Sequence, residues 1–336
     1  MFLRTPWLVP LMLAVVAVTT FALTRPAPQA PRPSSHTTLP SSHAQSNDAR
    51  FLLIRGAFVV IGKSPDGDSV RFIPDDAALL NRLDNSRRIR PSKDGSVQLR
   101  FEAIDAPELH FEGEAQPLGT QARDALLKRM GFTNLRFDKN ETATSSTPAR
   151  VRGAILSQAA ESNGRPISYA FLESGVNGLQ DGSRVALTDA LLRSSLNDAM
   201  MRSGLAYYTV YSSTPEAQRA YFKALALEAR GKKLGVWAVD KTASFTIKDE
   251  SSVGETGQLI LPKLFRRVTS YLSDVRKKQF RGSLKDWLIA SRDTPRSEDD
   301  AVDVNGTRKN LSDLLEVSGQ TVRFNADLLQ LTFIEK

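Results

Sequence analysis

A β-strand that runs into a stiff turn is predicted by ten residues, Leu99-Arg100-Phe101-Glu102-Ala103-Ile104-Asp105-Ala106-Pro107-Glu108. The side chains of Leu99, Phe101 and Ala103 alternate with those of Arg100, Glu102 and Ile104, which is the two-residue period of a strand. Pro107 stiffens the turn and favours an extended backbone at Ala106. One arginine, one aspartate and one glutamate are thereby held near the end of a rigid element. That mixture suits a site for a cation and a phosphate together, although an ordinary half-buried strand with a polar face remains the alternative.

The segment upstream of this strand favours a functional site over an ordinary half-buried strand. Asp66-Gly67-Asp68-Ser69-Val70 is a turn signal followed by strand residues. The order Asp-Gly-Asp-Ser-Val, then Leu-Arg-x-x-x-Ile-Asp-Ala-Pro-Glu, resembles the staphylococcal nuclease (thermonuclease) family. Further matching segments follow in the family's order over roughly residues 51–245, and they are Leu118–Ala122, Arg152-Gly153, Leu196–Ala199, Gly204–Ala206 and Gly235–Trp237.

Short strands followed by helices that are interleaved late in the chain predict an α+β fold. A five-stranded Greek-key β-barrel of the OB type with packed helices fits this order, and the resemblance implies the same fold. Helices are predicted from Thr120 to a stop at Gly131, over 196–202, and from the Thr214-Pro215 cap to about Arg230. A strand is predicted to begin at Arg150, and the Ser/Thr-rich stretch 140–148 is predicted to be a loop. Segments 75–93 and 175–182 read as insertions relative to the family.

Composition shifts divide the chain into four parts. Residues 1–23 contain an apolar run that predicts a signal peptide or a transmembrane anchor. As a helix the run would span about 25 Å, which is marginal for a bilayer core of about 30 Å. The Pro/Ser/Thr-rich stretch 24–50 reads as an extended spacer, 51–245 as the nuclease-like domain, and 246–336 as a C-terminal extension of open role. We therefore expect an exported protein, anchored in the membrane and facing the periplasm or exterior, or secreted if the segment is cleaved.

Charge and composition bound the chemistry. The 336 residues carry a net charge of +8 and are 41% hydrophobic, so the chain suits a real core and a polyanionic partner or an acidic membrane surface, although a merely basic surface fits too. The sequence has no cysteine, which excludes disulfides, thiolate metal sites and a cysteine nucleophile. Two of its three histidines, His36 and His43, lie in the spacer. Histidine-rich zinc sites and histidine-based triads are therefore disfavoured, and His110 reads as a loop residue.

The resemblance implies a divalent cation held by oxygen ligands. Asp68 and Asp105 match the family's two carboxylate ligands, and the backbone carbonyl of Ala106 matches the third. Ala106 stands where the family enzyme has a threonine, so a hydroxyl contact is lost while the carbonyl remains. Hard cations such as Ca²⁺ prefer oxygen ligands, so Ca²⁺ is the expected cofactor. Asp66 is expected to form the turn or to support the ligands, and acidic turn residues at strand ends are the alternative for the whole set.

The resemblance also implies two phosphate-binding arginines and a general base. Arg100 and Arg152 are assigned as the arginines, since a guanidinium offers a planar fork of donors and stays charged. Arg152 is chosen because a glycine follows it, and Arg150, on the same face of the strand, is the fallback. Glu108 is assigned as the base that takes a proton from water, or as the group that orders that water.

Two tyrosines, Tyr208 and Tyr211, are expected to stack on or hydrogen-bond the nucleotide, although each could equally be a core residue of a strand.

The leading function is an exported Ca²⁺-dependent endonuclease that hydrolyses DNA or RNA and leaves 3′-phosphates. The alternatives are a non-catalytic OB-type module that binds nucleic acid or protein at the cell envelope, and a structural envelope protein. Basic residues over 259–287 suit nucleic acid or a lipid surface, or an ordinary amphipathic helix packed on the barrel. No small-molecule cofactor is expected, and the oligomeric state is left open.

Overall fold

The structure, a computed structural model, describes residues 50–295 and 297–335. The apolar segment 1–23 and almost all of the spacer 24–50 lie outside the described residues. Within the described ranges, no helix has both the length and the apolar character needed to cross a membrane.

The described residues contain strands and helices in mixed order, so the α+β class is observed. The strands are β1 (Arg50–Val59), β2 (Arg71–Pro74), β3 (Val97–Gln98), β4 (Arg100–Phe101), β5 (Ile104–Asp105), β6 (Thr133–Phe137), β7 (Ala143–Thr147), β8 (Arg150–Ala160), β9 (Pro166–Leu172), β10 (Arg184–Ala186), β11 (Tyr207–Tyr208), β12 (Ser244–Thr246), β13 (Ala301–Val304), β14 (Thr307–Asn310), β15 (Leu315–Ser318), β16 (Thr321–Phe324) and β17 (Leu331–Phe333). The α-helices are α1 (Gly119–Met130), α2 (Asp189–Leu192), α3 (Leu196–Arg202), α4 (Glu216–Gly231), α5 (Val236–Val239), α6 (Pro262–Arg276) and α7 (Leu284–Ser291). The 3₁₀ turns are Ala77–Arg82, Ser86–Arg88, Glu173–Val176, Glu250–Ser252, Leu311–Leu314 and Leu328–Gln330.

The main sheet curls into a nearly closed barrel. Its strands follow the order β3-β2-β1-β8-β9-β4, antiparallel except for the parallel pair β4–β9. The strands β3 and β4 are successive pieces of one extended segment, so the first and last positions of this order meet. Hydrogen bonds from Leu99 N to Val70 O (2.9 Å) and from Phe101 N to Asp68 O (3.0 Å) continue the contact. This arrangement is consistent with a five-stranded OB-type barrel.

The strand predicted over 99–104 is interrupted. Ala103 has φ +66°, so the backbone leaves the extended conformation between β4 and β5. The side-chain amide of Asn197 donates to the Glu102 carbonyl (2.9 Å), which stabilises the bend. The bend matters for the site because β5 then pairs with β11, with Asp105 opposite Tyr207, while Arg100 stays in the barrel wall.

Elsewhere the sequence predictions are partly correct. Helix α1 ends at Met130 with Gly131 as its C-cap, so the predicted stop at Gly131 is confirmed. The helix begins at Gly119, after Leu118 with a left-handed backbone, and not from a Thr120 cap. The predicted loop 140–148 is wrong, because β7 forms a hairpin with β6 there; threonine is a strand-favouring residue that a Ser/Thr-rich composition hides. The segment 75–93, which the sequence suggested to be an insertion, holds two short 3₁₀ turns.

The C-terminal region builds a second hydrophobic core beside the barrel core. Helix α6 buries one face, including Leu264, Phe265 and Val268, among residues of the small sheets β12-β16-β15 and β14-β13-β17. One of the alternatives for 259–287 was an amphipathic helix packed on the barrel; the helix is packed, but its apolar face lies in the second core and not in the barrel core. Tyr207 and Trp237, which precede the C-terminal region in the chain, also contact this second core, so the C-terminal region shares apolar contacts with the residues packed around the barrel.

Candidate active site

A cavity of about 730 Å³ gathers charged side chains from segments far apart in sequence. Its central acidic members come from the Asp-Gly-Asp turn, from β5 and from the turn after β5, and its central basic members come from β4, the β8–β9 turn and helix α6. The charged and aromatic residues central to the argument are Asp66, Asp68, Arg100, Asp105, Glu108, Arg165, Tyr211, Lys263, Arg266 and Arg267.

Backbone contacts hold the carboxylates in place. The Asp68 carbonyl accepts the Phe101 N–H of β4 (3.0 Å), and the Asp68 side chain accepts the Ala106 N–H (2.9 Å). The turn that carries Asp68 is thereby tied to both sides of the β4–β5 bend. Asp66 accepts the N–H groups of Gly67 (2.7 Å) and Leu109 (3.4 Å), which fits its expected role in the turn. Asp68 and Asp105 therefore reach one cavity from different segments.

The acidic side of the cavity carries an excess of negative charge. Burial first, and then the charges of Asp105 and Glu108, raise the pKa of Asp68 to about 7. The pKa of Asp66 also lies well above its ordinary value, because of burial first and then the charges of Glu108 and Asp68. Crowded carboxylates with raised pKa values are stabilised by a cation, and their oxygen atoms are the donors that a hard divalent cation prefers. The donor chemistry therefore fits Ca²⁺. Within the described ranges, no preformed cluster of three or more His, Cys, Asp or Glu side chains suited to a metal ion is found.

The guanidinium of Arg100 lies in the cavity wall against an aromatic ring. Its carbon is 4.3 Å from the ring centroid of Tyr211, a cation–π contact. No carboxylate among the described residues forms an ion pair with Arg100. Its fork of donors therefore remains available to an anion in the cavity.

The structure brings Arg165, and not Arg152, to the cavity. Arg152 makes two parallel hydrogen bonds to Asp75 (2.6 Å each) and its side chain is 53% exposed outside the cavity lining. Arg150 is likewise exposed on β8 and does not line the cavity. The reason is topological: β9, and not β8, lies beside β4, with Ile167 opposite Arg100. Side chains repeat every second residue along a strand, so Arg165 falls on the face that carries Ile167. Arg165 also pairs with Glu161 (3.1 Å).

The two tyrosines differ in their surroundings. Tyr211 lines the cavity. Tyr208 is buried in the barrel core, where its hydroxyl donates to the Arg219 carbonyl (3.3 Å), and it does not line the cavity. The core alternative therefore describes Tyr208. Ala106 is buried beside Asp68, and its contact to that carboxylate is made by its N–H.

Three basic residues of helix α6 line the cavity, and the sequence had assigned none of them to the site. Arg266 makes ion pairs with Asp105 (3.0 Å) and with Glu108. Lys263 pairs with Asp300 (3.4 Å), and Arg267 pairs with Asp300 (2.7 Å) and with Glu298. The basic composition of 259–287 was the available signal, but nothing in it distinguishes these residues from the other lysines and arginines of the segment.

The fold and the cavity together define a mixed α+β barrel whose site combines clustered carboxylates with guanidinium groups. Residues 98–239 match the family model for staphylococcal nuclease homologues. The predicted resemblance to the staphylococcal nuclease family is therefore confirmed over that stretch. The matched stretch includes Arg100, Asp105, Glu108 and Arg165, whereas Asp68 precedes it and Arg266 follows it. A search of the curated proteins gave no match.

Proposed function

We propose that this protein is a Ca²⁺-dependent phosphodiesterase that cleaves DNA or RNA internally and leaves 3′-phosphates. The observation that carries the proposal is the shared cavity, which Arg100 and Arg165 line together with the carboxylates Asp68, Asp105 and Glu108. Phosphodiester hydrolysis needs positive groups for the charged phosphoryl oxygens and a base for the attacking water. The family match supports a nucleic acid as the substrate, and the apolar run 7–23 supports export.

The roles follow from the chemistry of each side chain. Arg100 and Arg165 bind the phosphate through their guanidinium forks, and the Tyr211 ring orients Arg100. Glu108 takes a proton from the water that attacks phosphorus. The bond between phosphorus and the 5′ oxygen breaks, so the products are a 3′-phosphate and a 5′-hydroxyl, as the family resemblance implies. Arg165 takes the position for which the sequence had suggested Arg152.

The expected cation would be held by Asp68, Asp105 and the Ala106 carbonyl. When bound, Ca²⁺ supplies positive charge for the phosphate oxygens and acidifies water. The raised pKa of Asp68 supports this assignment, because a carboxylate among other carboxylates is strongly stabilised by a nearby cation.

One observation favours a second function, in which the barrel binds nucleic acid without cleaving it. Arg266 already pairs with Asp105 and Glu108, so the two carboxylates are partly neutralised by the chain itself. A permanently neutralised site would keep its arginines for phosphate binding and lose its base.

The two functions are separated by incubating the full chain with plasmid DNA and single-stranded RNA, with Ca²⁺ or with a chelator. We expect cleavage with Ca²⁺, loss of cleavage with chelator, and 3′-phosphate ends. Glu108→Gln and Arg100→Gln should each lower the rate by about 10²–10³-fold, whereas Arg150→Gln, outside the cavity, should keep it within about twofold. Retained nucleic-acid binding without cleavage in Ca²⁺, Mg²⁺ or Mn²⁺ would support the binding module instead.

A further inference from the structure

The least expected feature of the cavity is the position of Arg266. Its two terminal nitrogens form a fork on Asp105, with Nη2 to Oδ2 at 3.0 Å and Nη1 to Oδ1 at 3.3 Å. The same Nη1 also donates to Glu108. Bidentate guanidinium–carboxylate pairs are among the stronger polar contacts in proteins. Arg266 therefore engages one proposed cation ligand and the proposed base at once.

Arg266 is held in this position by the helix that carries it. Its neighbours Leu264, Phe265 and Val268 are fully buried in the second core. The adjacent Arg267 pairs with Asp300 (2.7 Å) and Glu298. The Arg266 side chain is only 22% exposed. The packing of helix α6 therefore fixes Arg266 at the wall of the cavity, and its contact with the carboxylates is not that of an exposed surface arginine.

The pairing of charges in the cavity shows which groups a bound cation would have to displace. Among the described residues, Arg266 is the cation that forms ion pairs with Asp105 and Glu108. Asp66 and Asp68 form no ion pair with any described residue. A divalent cation coordinated by Asp105 would need the oxygens that the fork of Arg266 now engages, and two cations on one carboxylate repel each other.

We propose that Arg266 is an internal counter-ion that competes with the divalent cation for Asp105 and Glu108. This inference rests on the proposed function, because it uses the same carboxylates. Without the cation, Arg266 neutralises the carboxylates and keeps Glu108 from acting as a base. Binding of the cation requires that Arg266 leave them, so the apparent affinity is lowered by the fraction of molecules in which the carboxylates are free. Helix α6 thus sets the cation concentration at which the site becomes active.

The test compares four full-length proteins: the wild type, Arg266→Gln, Arg266→Lys and Arg267→Gln. Arg267→Gln removes the same charge from the same helix and cavity but touches neither Asp105 nor Glu108, so it is the matched control. Ca²⁺ binding is measured by titration calorimetry without nucleic acid. We expect Arg266→Gln to bind Ca²⁺ at least tenfold more tightly than the wild type. Arg266→Lys, which keeps the charge without the fork, should fall between them, and Arg267→Gln should stay within about threefold of the wild type.

Thermal unfolding provides a second readout that is independent of cleavage. In chelator, Arg266→Gln should unfold at a lower temperature than the wild type, because Asp105 and Glu108 lose their counter-ion. Added Ca²⁺ should raise its unfolding temperature more than that of the wild type. Equal Ca²⁺ affinities of the wild type and Arg266→Gln, no Ca²⁺ binding by either, or an equal gain in Arg267→Gln would overturn the proposal.

The outcomes for the inference and for the proposed function are distinguishable. Cleavage by the wild type together with unchanged Ca²⁺ affinity in Arg266→Gln would leave the nuclease function standing and remove the counter-ion role. Tighter Ca²⁺ binding by Arg266→Gln without cleavage by any of the four proteins would do the reverse.

Discussion

Arg100 lies directly opposite Ile167 across the parallel strand pair β4–β9, which brings Arg165 to the same cavity. Parallel neighbours run in the same direction, so the residues just before β9 meet the residues just before β4. The chain thus brings together two guanidinium groups that lie 65 positions apart in the sequence.

Replacement of Arg165 tests this placement. Arg165→Gln should lower the rate of nucleic-acid cleavage by about 10²–10³-fold, because it removes a donor to the phosphoryl oxygens. Arg152→Gln is the matched control, since its salt bridge with Asp75 is exposed and contributes at most about 1 kcal/mol to the stability of the fold. The measurement is the initial rate of plasmid cleavage in Ca²⁺. A larger loss in Arg152→Gln than in Arg165→Gln would reverse the assignment.

The aromatic ring beneath Arg100 makes a separate prediction. The guanidinium lies 4.3 Å from the centroid of Tyr211, and such contacts are worth about 1 kcal/mol when partly desolvated. Tyr211→Leu should therefore raise the KM for nucleic acid by about fivefold. Tyr211→Phe keeps the ring and should stay within about twofold. Equal effects of the two substitutions would mean that the hydroxyl, and not the ring, is the functional group.

The raised pKa of Asp68 predicts an unusual pH dependence of stability. A carboxyl group whose folded-state pKa of about 7 exceeds its ordinary value of 3.8 destabilises the folded state once the solution pH rises above about 4. The loss grows until the pH passes the folded pKa and is constant above it. Asp68→Asn removes this titration while its side-chain oxygen still accepts the Ala106 N–H. In chelator, the variant should be more stable than the wild type at pH 8 by on the order of 2 kcal/mol. This figure is half of what a shift of about three pKa units would give, since the carboxyl group lines an open cavity and is partly screened by water.

Denaturant unfolding at pH 5 and pH 8 measures this difference, which should be less than half as large at pH 5 as at pH 8. Asp94→Asn is a control of opposite sign, because the hydrogen bonds of Lys63 and Ser96 hold the pKa of Asp94 below its ordinary value. That variant should not gain stability at pH 8. A pH-independent gain in Asp68→Asn would contradict a titrating carboxyl.

A buried carboxylate in the C-terminal region predicts a large loss of stability. Asp299 accepts hydrogen bonds from Arg292 Nε (2.6 Å), from Ser312 N (2.8 Å) and from Ser312 Oγ (2.7 Å). Asp299→Ala would leave these donors without an acceptor and should lower the free energy of unfolding by about 3 kcal/mol. Asp313, the other acid near Arg292 at 3.5 Å, is 47% exposed, so Asp313→Ala should cost about 1 kcal/mol or less. Urea unfolding followed by tryptophan fluorescence compares the two, and similar losses would contradict the difference in burial.

Local sequence was sufficient to predict the residues that form one half of the cavity. The Asp-Gly-Asp turn and the strand that begins at Leu99 carry short-range signals, and the structure brings Asp68, Arg100, Asp105 and Glu108 to one place. The bend at Ala103 was not predicted. The alternation of apolar and polar residues stops there, since Ala103 and Ile104 are both apolar, but two adjacent apolar residues do not specify a left-handed backbone. A left-handed alanine is stabilised by its surroundings, here including the Asn197 amide bonded to the preceding carbonyl, and not by its own propensity.

The other half of the cavity depends on pairing that no short stretch encodes. Arg152 precedes a glycine and Arg165 follows one, and both precede strand-like residues, so local sequence does not separate them. Arg165 lies in the cavity, and Arg152 does not, because β9 is the strand next to β4. Arg266 is more distant still, because its contact with Asp105 depends on how a second core packs against the barrel. Its helical periodicity predicts α6, but periodicity does not reveal which basic residue faces the carboxylates.

The contacts of Phe333 carry a practical consequence for dissecting this protein. Its N–H donates to the Val210 carbonyl (2.9 Å) and its carbonyl accepts the Ser212 N–H (2.8 Å), which brackets Tyr211 on both sides. A shortened gene product that stops before Phe333 would lack the strand that braces Tyr211, and one that stops at residue 239 would also lack Arg266. The part that a family comparison marks out is therefore smaller than the part that must be expressed to obtain an intact cavity.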